Sequence, residues 1–301
     1  MNSYAYTVAQ LDLDNGTTSA VHRFTPPEST IPVLLLHGSI ENGRIFYSPG
    51  GKGLAPFLAR HGFDVFVPDM AGKGSSTPKI AKGFKHSQDD VIDRDIPIYI
   101  DHIRQYHPDT PIRLGAHSWG GVMLLAWYAK YGNPDEIGPS VFFGTKRRIG
   151  ILSLRRFFMV DLVWSLAGTI GTLLKGYMPA VALRMGSENE PTALYKQVNR
   201  WVYSKTWKDE QNQHDYTKML QNKALPNILY LAGIHDHVLG HRTDVRHLIR
   251  ETGASNAHFM VLSKLAGNMQ DYGHIDMLTS KSCPIDHFPK VVSWLYKGTL
   301  T

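Results

Sequence analysis

Apolar runs of about six residues recur at 31–36, 63–68, 112–117, 140–144, 227–232 and 257–262. Continuous rather than alternating runs of this length predict strands buried on both faces. Between many of them lie stretches with helical spacing, at 53–61, 88–106, 119–131, 241–252 and 285–297. Strand–helix alternation predicts an α/β fold: a mostly parallel sheet with helices on either side. Two further segments, Tyr4–Leu13 and Thr17–Phe24, alternate polar and apolar positions around Asn15-Gly16 and predict an opening β-hairpin, for about eight strands in all. Pro97 falls inside the 88–106 pattern. A proline is tolerated in the first helical turn, so regular helix is expected from Asp95.

Residues 146–215 break this rhythm. They predict a mainly helical cap inserted into a core domain of residues 1–145 and 216–301. The cap region is rich in Leu, Phe, Trp and Gly, and Asp161 and Lys175 bracket an uncharged stretch, Leu162 to Leu174. A membrane-crossing helix needs about 20 apolar residues, which argues against a span here. Packing against the core is the expected use of the segment. Arg155 and Arg156 beside an apolar lid leave room for weak contact with a lipid interface.

Composition narrows the class. The 301 residues are 43% apolar, enough for a substantial core. One cysteine, Cys283, excludes an internal disulfide framework and fits a reducing compartment. Met1–Thr7 shows neither a basic opening nor an apolar signal core, so the cytoplasm is expected and Asn15-Gly16-Thr17 reads as a turn rather than a glycan site. The net charge of +6 is spread along the chain, apart from Lys146-Arg147-Arg148 and Arg155-Arg156, and no nucleic-acid motif accompanies it. A solvated basic surface is the plainer reading.

Candidate chemistry centres on Ile112-Arg-Leu-Gly-Ala-His-Ser-Trp-Gly-Gly121, an apolar strand turning abruptly into a helix with Ser118 at the apex. A serine hydroxyl needs such exposure and a base before it becomes nucleophilic, and small residues two before and two after it let the turn close. Those positions hold Ala116 and Gly120. Asp236 follows the strand at 227–232, and His274 lies in the loop after the strand at 257–262, giving the chain order Ser, Asp, His. His37-Gly38 ends an earlier strand; the amide of Trp119 with that of Ser39 or Ile40 could receive an oxyanion. His37 itself reads as structural. Asp244 and Asp276 are rival carboxylates better suited to capping a helix or ordering a loop. Cys283, before Pro284 and away from any sharp turn, is a poor nucleophile. Gly50-Gly-Lys-Gly53 and Gly72-Lys-Gly-Ser-Ser76 lack phosphate-loop spacing, and His235, His237 and His241 lack metal-ligand spacing. No metal or cofactor is expected.

With these landmarks in order, the chain resembles the α/β-hydrolase superfamily, and within it acid-lipase-like and bacterial serine ester hydrolases. The resemblance rests on Leu36-His37-Gly38, on His61–Asp69 with Gly72-Lys-Gly-Ser75, on the turn at Ser118, on Gly233–Asp236, and on Tyr272-Gly-His-Ile-Asp276. It implies Ser118 as nucleophile, Asp236 as acid and His274 as base. An esterase or lipase-like activity on small esters with an apolar acyl or alkyl group follows as the expected function. Thioester hydrolysis, acyl transfer and a non-catalytic binding module remain alternatives. A carboxylate nucleophile, needed by the epoxide hydrolases and haloalkane dehalogenases of the same fold, is absent from position 118.

Overall fold

A computed structural model describes residues 4–14, 16–28, 31–210 and 213–300. The main sheet has eight strands: β1 (Ala5–Asp12), β2 (Thr18–Thr25), β3 (Ile31–Leu36), β4 (Phe63–Pro68), β5 (Arg113–His117), β6 (Ser140–Phe143), β9 (Ile228–Gly233) and β10 (His258–Leu262). A separate two-stranded ribbon pairs β7 (Tyr177–Met178) with β8 (Glu190–Pro191). The sheet order is β1-β2-β4-β3-β5-β6-β9-β10; β2 runs antiparallel to both its neighbours, β1 and β4, and every other pairing is parallel. The hairpin registers Asp12 against Thr18, with positive φ at Asp14 and Gly16; Asn15 lies outside the described residues.

Successive strand residues feed two cores. Leu34, Leu36, Phe66, Phe142 and Tyr230 enter one cluster, whereas Val33, Leu35, Val65, Val67, Val141, Leu229 and Leu231 enter the other. The runs read as continuously apolar because both faces are covered: helices Ile96–Arg104, Trp119–Tyr131 and Arg242–Thr252 lie on one side, Leu54–Arg60 and Phe288–Lys297 on the other. Each fully buried Leu or Val contributes about 1.5–3 kcal/mol. The chain reverses direction across the sheet between β3 and β5, and ligands of open α/β sheets bind at the carboxyl ends of such a pair.

Regular α-helix begins at Ile96, one residue from expectation, with Pro97 in its first turn. Helix begins at Gln88, where Ser87 and Asp90 form a reciprocal capping box, and continues through a π-helical stretch, Val91–Asp95, into Ile96–Arg104. The wider turn just before Pro97 absorbs its missing N–H.

The insertion between β6 and β9 has two unlike halves. Trp201, Trp207 and Tyr216 join the core beside the Trp119–Tyr131 helix, and the Thr192–Tyr203 helix contributes Leu194 and Val198. The other half, one continuous helix over Leu154–Lys175, stays largely in solvent; only 22% of its most apolar window is buried. Core packing is therefore not its main use. Nor is it short: its 22 residues are long and apolar enough, by length and composition, to cross a membrane, because helix extends past Asp161. The basic cluster also divides. Lys146 and Arg147 are buried, the latter against Glu251 at 2.5 Å, and only Arg148 is solvated.

Candidate active site

Ser118 occupies the single residue between β5 and its helix, with φ 51° and ψ −120°. Few non-glycine residues adopt a positive φ, and the strain lifts the side chain away from the helix it begins. Consistent with that, the hydroxyl does not cap its own helix. The neighbours make the bend feasible. A Cβ at Gly120 would lie 2.3 Å from the Leu36 carbonyl oxygen and 2.6 Å from that of His37, so only glycine permits this approach. Ala116 is fully buried within β5, where a methyl group fits.

Asp236 and His274 come together. Asp236 Oδ2 accepts from His274 Nδ1 at 2.5 Å, with both side chains largely buried. Burial alone would raise the acid, but the His274 charge and hydrogen bond, the Gly240 amide and the Lys146 charge lower it to about 2. Asp236 is thus held as a carboxylate against its imidazole. Gly144, after β6, gives the imidazole room: at φ +59°, a Cβ there would sit 2.9 Å from His274 Cε1 and Nδ1. The same segment supports the serine turn, since Ser118 N–H donates to the Phe143 carbonyl at 2.8 Å. Ser118 and the Asp236–His274 pair therefore share one edge of the sheet.

The rival groups sit elsewhere. Asp276 accepts from the Gly273 amide at 2.6 Å and orders the His274 loop, while Asp244 accepts from the Gly150 amide at 2.9 Å. Cys283 is buried and its thiol is pushed up to about 12 by burial. His241 caps the Arg242–Thr252 helix through the Thr243 amide, and His235 is exposed. His37 is structural: its Nδ1 donates to the Gly38 carbonyl, its Nε2 accepts from the Met70 amide at 3.1 Å, and burial lowers it to about 4, keeping it neutral.

The two oxyanion candidates in the loop after β3 differ. Ile40, at φ 53°, already donates its amide to Glu190 Oε1 at 2.5 Å, and Glu190 in turn accepts from Lys73 Nζ at 2.7 Å. The Ser39 and Trp119 amides have no backbone or side-chain partner among the described residues.

Sequence reasoning missed a second histidine–carboxylate pair directly beneath the first. His117 Nδ1 lies 2.7 Å from Glu41 Oε1 and its Nε2 3.0 Å from the His274 carbonyl oxygen. A carboxylate and a carbonyl both accept, so His117 donates twice and is an imidazolium. Burial opposes that charge, but Glu41, the His274 carbonyl and Asp236 raise its pKa above the ordinary value; the same pairing lowers that of Glu41. The rings of His117 and His274 are 4.6 Å apart. A Glu four residues after His37 and a His immediately before Ser118 were the available signals. Lys146 was also missed. It is buried with Nζ 5.5 Å from the centre of the Trp119 ring, and burial lowers it to about 8 against the pull of Asp236 and Asp244.

A strained serine and an acid–imidazole pair at the carboxyl edge of a mostly parallel, helix-covered sheet define an α/β hydrolase. The chain belongs to the α/β-hydrolase fold family, whose model matches residues 31–280. It is 35% identical over 114 residues to an epoxide hydrolase of Neurospora crassa, covering 37% of this chain and 29% of that one. Over 106 residues it is 29% identical to a phospholipase of Bacillus subtilis, covering 35% and 37% respectively. The chain thus matches about a third of the length of these curated relatives. In fold it is similar to a thermophilic esterase from Thermogutta terrifontis, with a TM-score of 0.59 and 18% identity over 99% of this chain and 100% of the other.

Proposed function

We propose that the protein is a serine hydrolase of carboxylic esters. The observation that carries this reading is Ser118 raised at a strained turn on the sheet edge that also holds the Asp236–His274 pair at 2.5 Å. His274 takes the Ser118 proton as the oxygen attacks the ester carbonyl, and Asp236 keeps the imidazole oriented and balances its charge. The Trp119 and Ser39 amides receive the oxyanion; Ile40 is set aside because Glu190 holds its amide. His274 then protonates the departing alcohol, and a water activated by the same base releases the acid from Ser118.

A serine at position 118 favours ester cleavage over the epoxide chemistry named for the Neurospora relative, which needs a carboxylate there. The insertion acts in this reading as a cap beside the site, and its apolar composition suits an apolar acyl or alkyl group. The test is a panel of nitrophenyl esters of graded acyl length with Ser118→Ala as control. Turnover in the parent chain and its loss in the variant, together with fluorophosphonate labelling at Ser118, are expected. Unchanged hydrolysis by Ser118→Ala would end the proposal.

A further inference from the structure

The Leu154–Lys175 helix carries an apolar stripe along its whole length. Leu154, Phe158, Leu162, Leu166, Ile170 and Leu174 recur every four residues, and all are exposed. Leu173 and Leu174 are 78% and 79% exposed. Single exposed apolar residues are ordinary on a monomer, but a contiguous row along a 22-residue helix marks an interaction surface.

The opposite face belongs to the protein. Trp164 Nε1 donates to Asn199 Oδ1 at 2.7 Å, Tyr195 OH donates to the Trp164 carbonyl, and Ser165 hydrogen-bonds Tyr203 at 2.8 Å. Asp161 is held by Tyr203 at 2.9 Å and by Arg156 at 3.3 Å. A helix fastened along one side by polar bonds lies on the body of the molecule. Crossing a bilayer would break the bonds to Asn199, Tyr195 and Tyr203 and leave Asp161 in hydrocarbon with Arg156 alone.

Charge identifies what covers the stripe. Arg155 is exposed at its amino end and Lys175 and Lys82 at its carboxyl end, and none has an acidic partner among the described residues. Gly176 packs against Lys82, which places that lysine at the helix terminus. Cations at both ends of an aliphatic stripe match a surface with anionic headgroups over an apolar interior. A protein interface would favour aromatic residues, Met and Arg throughout the patch; here Phe157, Phe158 and Met159 sit together near the amino end, and the rest of the row is aliphatic Leu and Ile.

We propose that the Leu154–Lys175 helix is a docking surface for an anionic lipid bilayer, lying flat with its stripe in the interface and its flanking cations on the headgroups. The inference stands apart from the chemistry of Ser118. The test is flotation of the full chain with phosphatidylcholine vesicles, with and without phosphatidylglycerol. Binding to the anionic vesicles is expected, weakened by salt and reduced about tenfold or more by Leu173→Glu combined with Leu174→Glu, the far-UV circular dichroism being retained. If that pair fails to fold, Arg155→Glu with Lys175→Glu carries the same expectation. Three outcomes overturn the proposal: no vesicle binding by the parent chain, equal binding to neutral and anionic vesicles, or binding that survives the substitutions. So does self-association abolished by the same substitutions in a chain that ignores vesicles.

Discussion

Asp236→Asn separates two consequences of one interaction. The native carboxylate titrates at about 2, against an ordinary 3.8. At 1.36 kcal/mol per unit, that difference is about 2 kcal/mol of folding stability. A lowered acid contributes above its unfolded value, and the contribution disappears as pH falls through the folded one. The native chain should therefore lose this increment between pH 3.8 and about 2. The Asn variant lacks it throughout: about 2 kcal/mol less stable at pH 7 and nearly equal to the parent at the acid end. In urea this appears as a lower midpoint at unchanged slope. Activity should fall further. An amide can offer His274 Nδ1 an N–H as readily as an oxygen, and the wrong tautomer leaves Ser118 without a base, a loss of about ten-thousand-fold in the serine protease precedent. Ester turnover and urea midpoints across the acid range test both consequences. A stability difference that does not change with pH would refute the electrostatic origin assigned to the pair. Turnover within tenfold of the parent would refute the role of Asp236.

Glu41→Gln removes one member of the buried pair under His274, which should cost about 3 kcal/mol near pH 6. Glu41 is lowered from 4.5 and contributes above that value; His117 is raised from 6.5, so its contribution is complete below 6.5 and fades as pH climbs through its folded value. The gap measured by urea unfolding should accordingly narrow in alkali, and a gap constant to high pH would contradict the imidazolium. Gly144→Ala forces a side chain to φ +59° and places its Cβ 2.9 Å from the His274 ring. A stability loss of about 1–2 kcal/mol is expected, with a larger proportional fall in kcat than in KM; unchanged kcat would show that the ring position seen here is not the productive one.

The strands, the serine turn and the candidate acid and base were legible because each depends on local sequence. Leu34 and Leu35 are both apolar whichever core they enter, and Gly120 must be small whatever partner Ser118 finds. What escaped notice depends on contacts between distant segments. Glu41 and His117 are separated by 76 positions and Lys73 and Glu190 by 117. Neither pair has a spacing that a single chain could reveal. The Leu154–Lys175 helix escaped for another reason: counting uncharged residues stopped at Asp161, whereas Tyr203 and Arg156 satisfy that carboxylate on the protein side and let the helix run on.

The insertion is also tied to the loop after β3. Glu190, in β8, holds the Ile40 amide and Lys73, while Glu188 donates its amide to the Ile40 carbonyl at 3.1 Å and accepts from Asn42 Nδ2 at 2.6 Å. Both polar backbone groups of Ile40 are therefore fixed by residues some 150 positions away. A β-branched residue at φ 53° costs about 1–3 kcal/mol, and such a conformation persists only where its surroundings determine it. Replacing Glu190 would free the Ile40 amide, whereas the Glu188 N–H would hold the Ile40 carbonyl whatever its side chain. The insertion that begins as a solvent-facing helix thus ends tied to Ile40, in the loop after β3, through one carboxylate and one backbone bond.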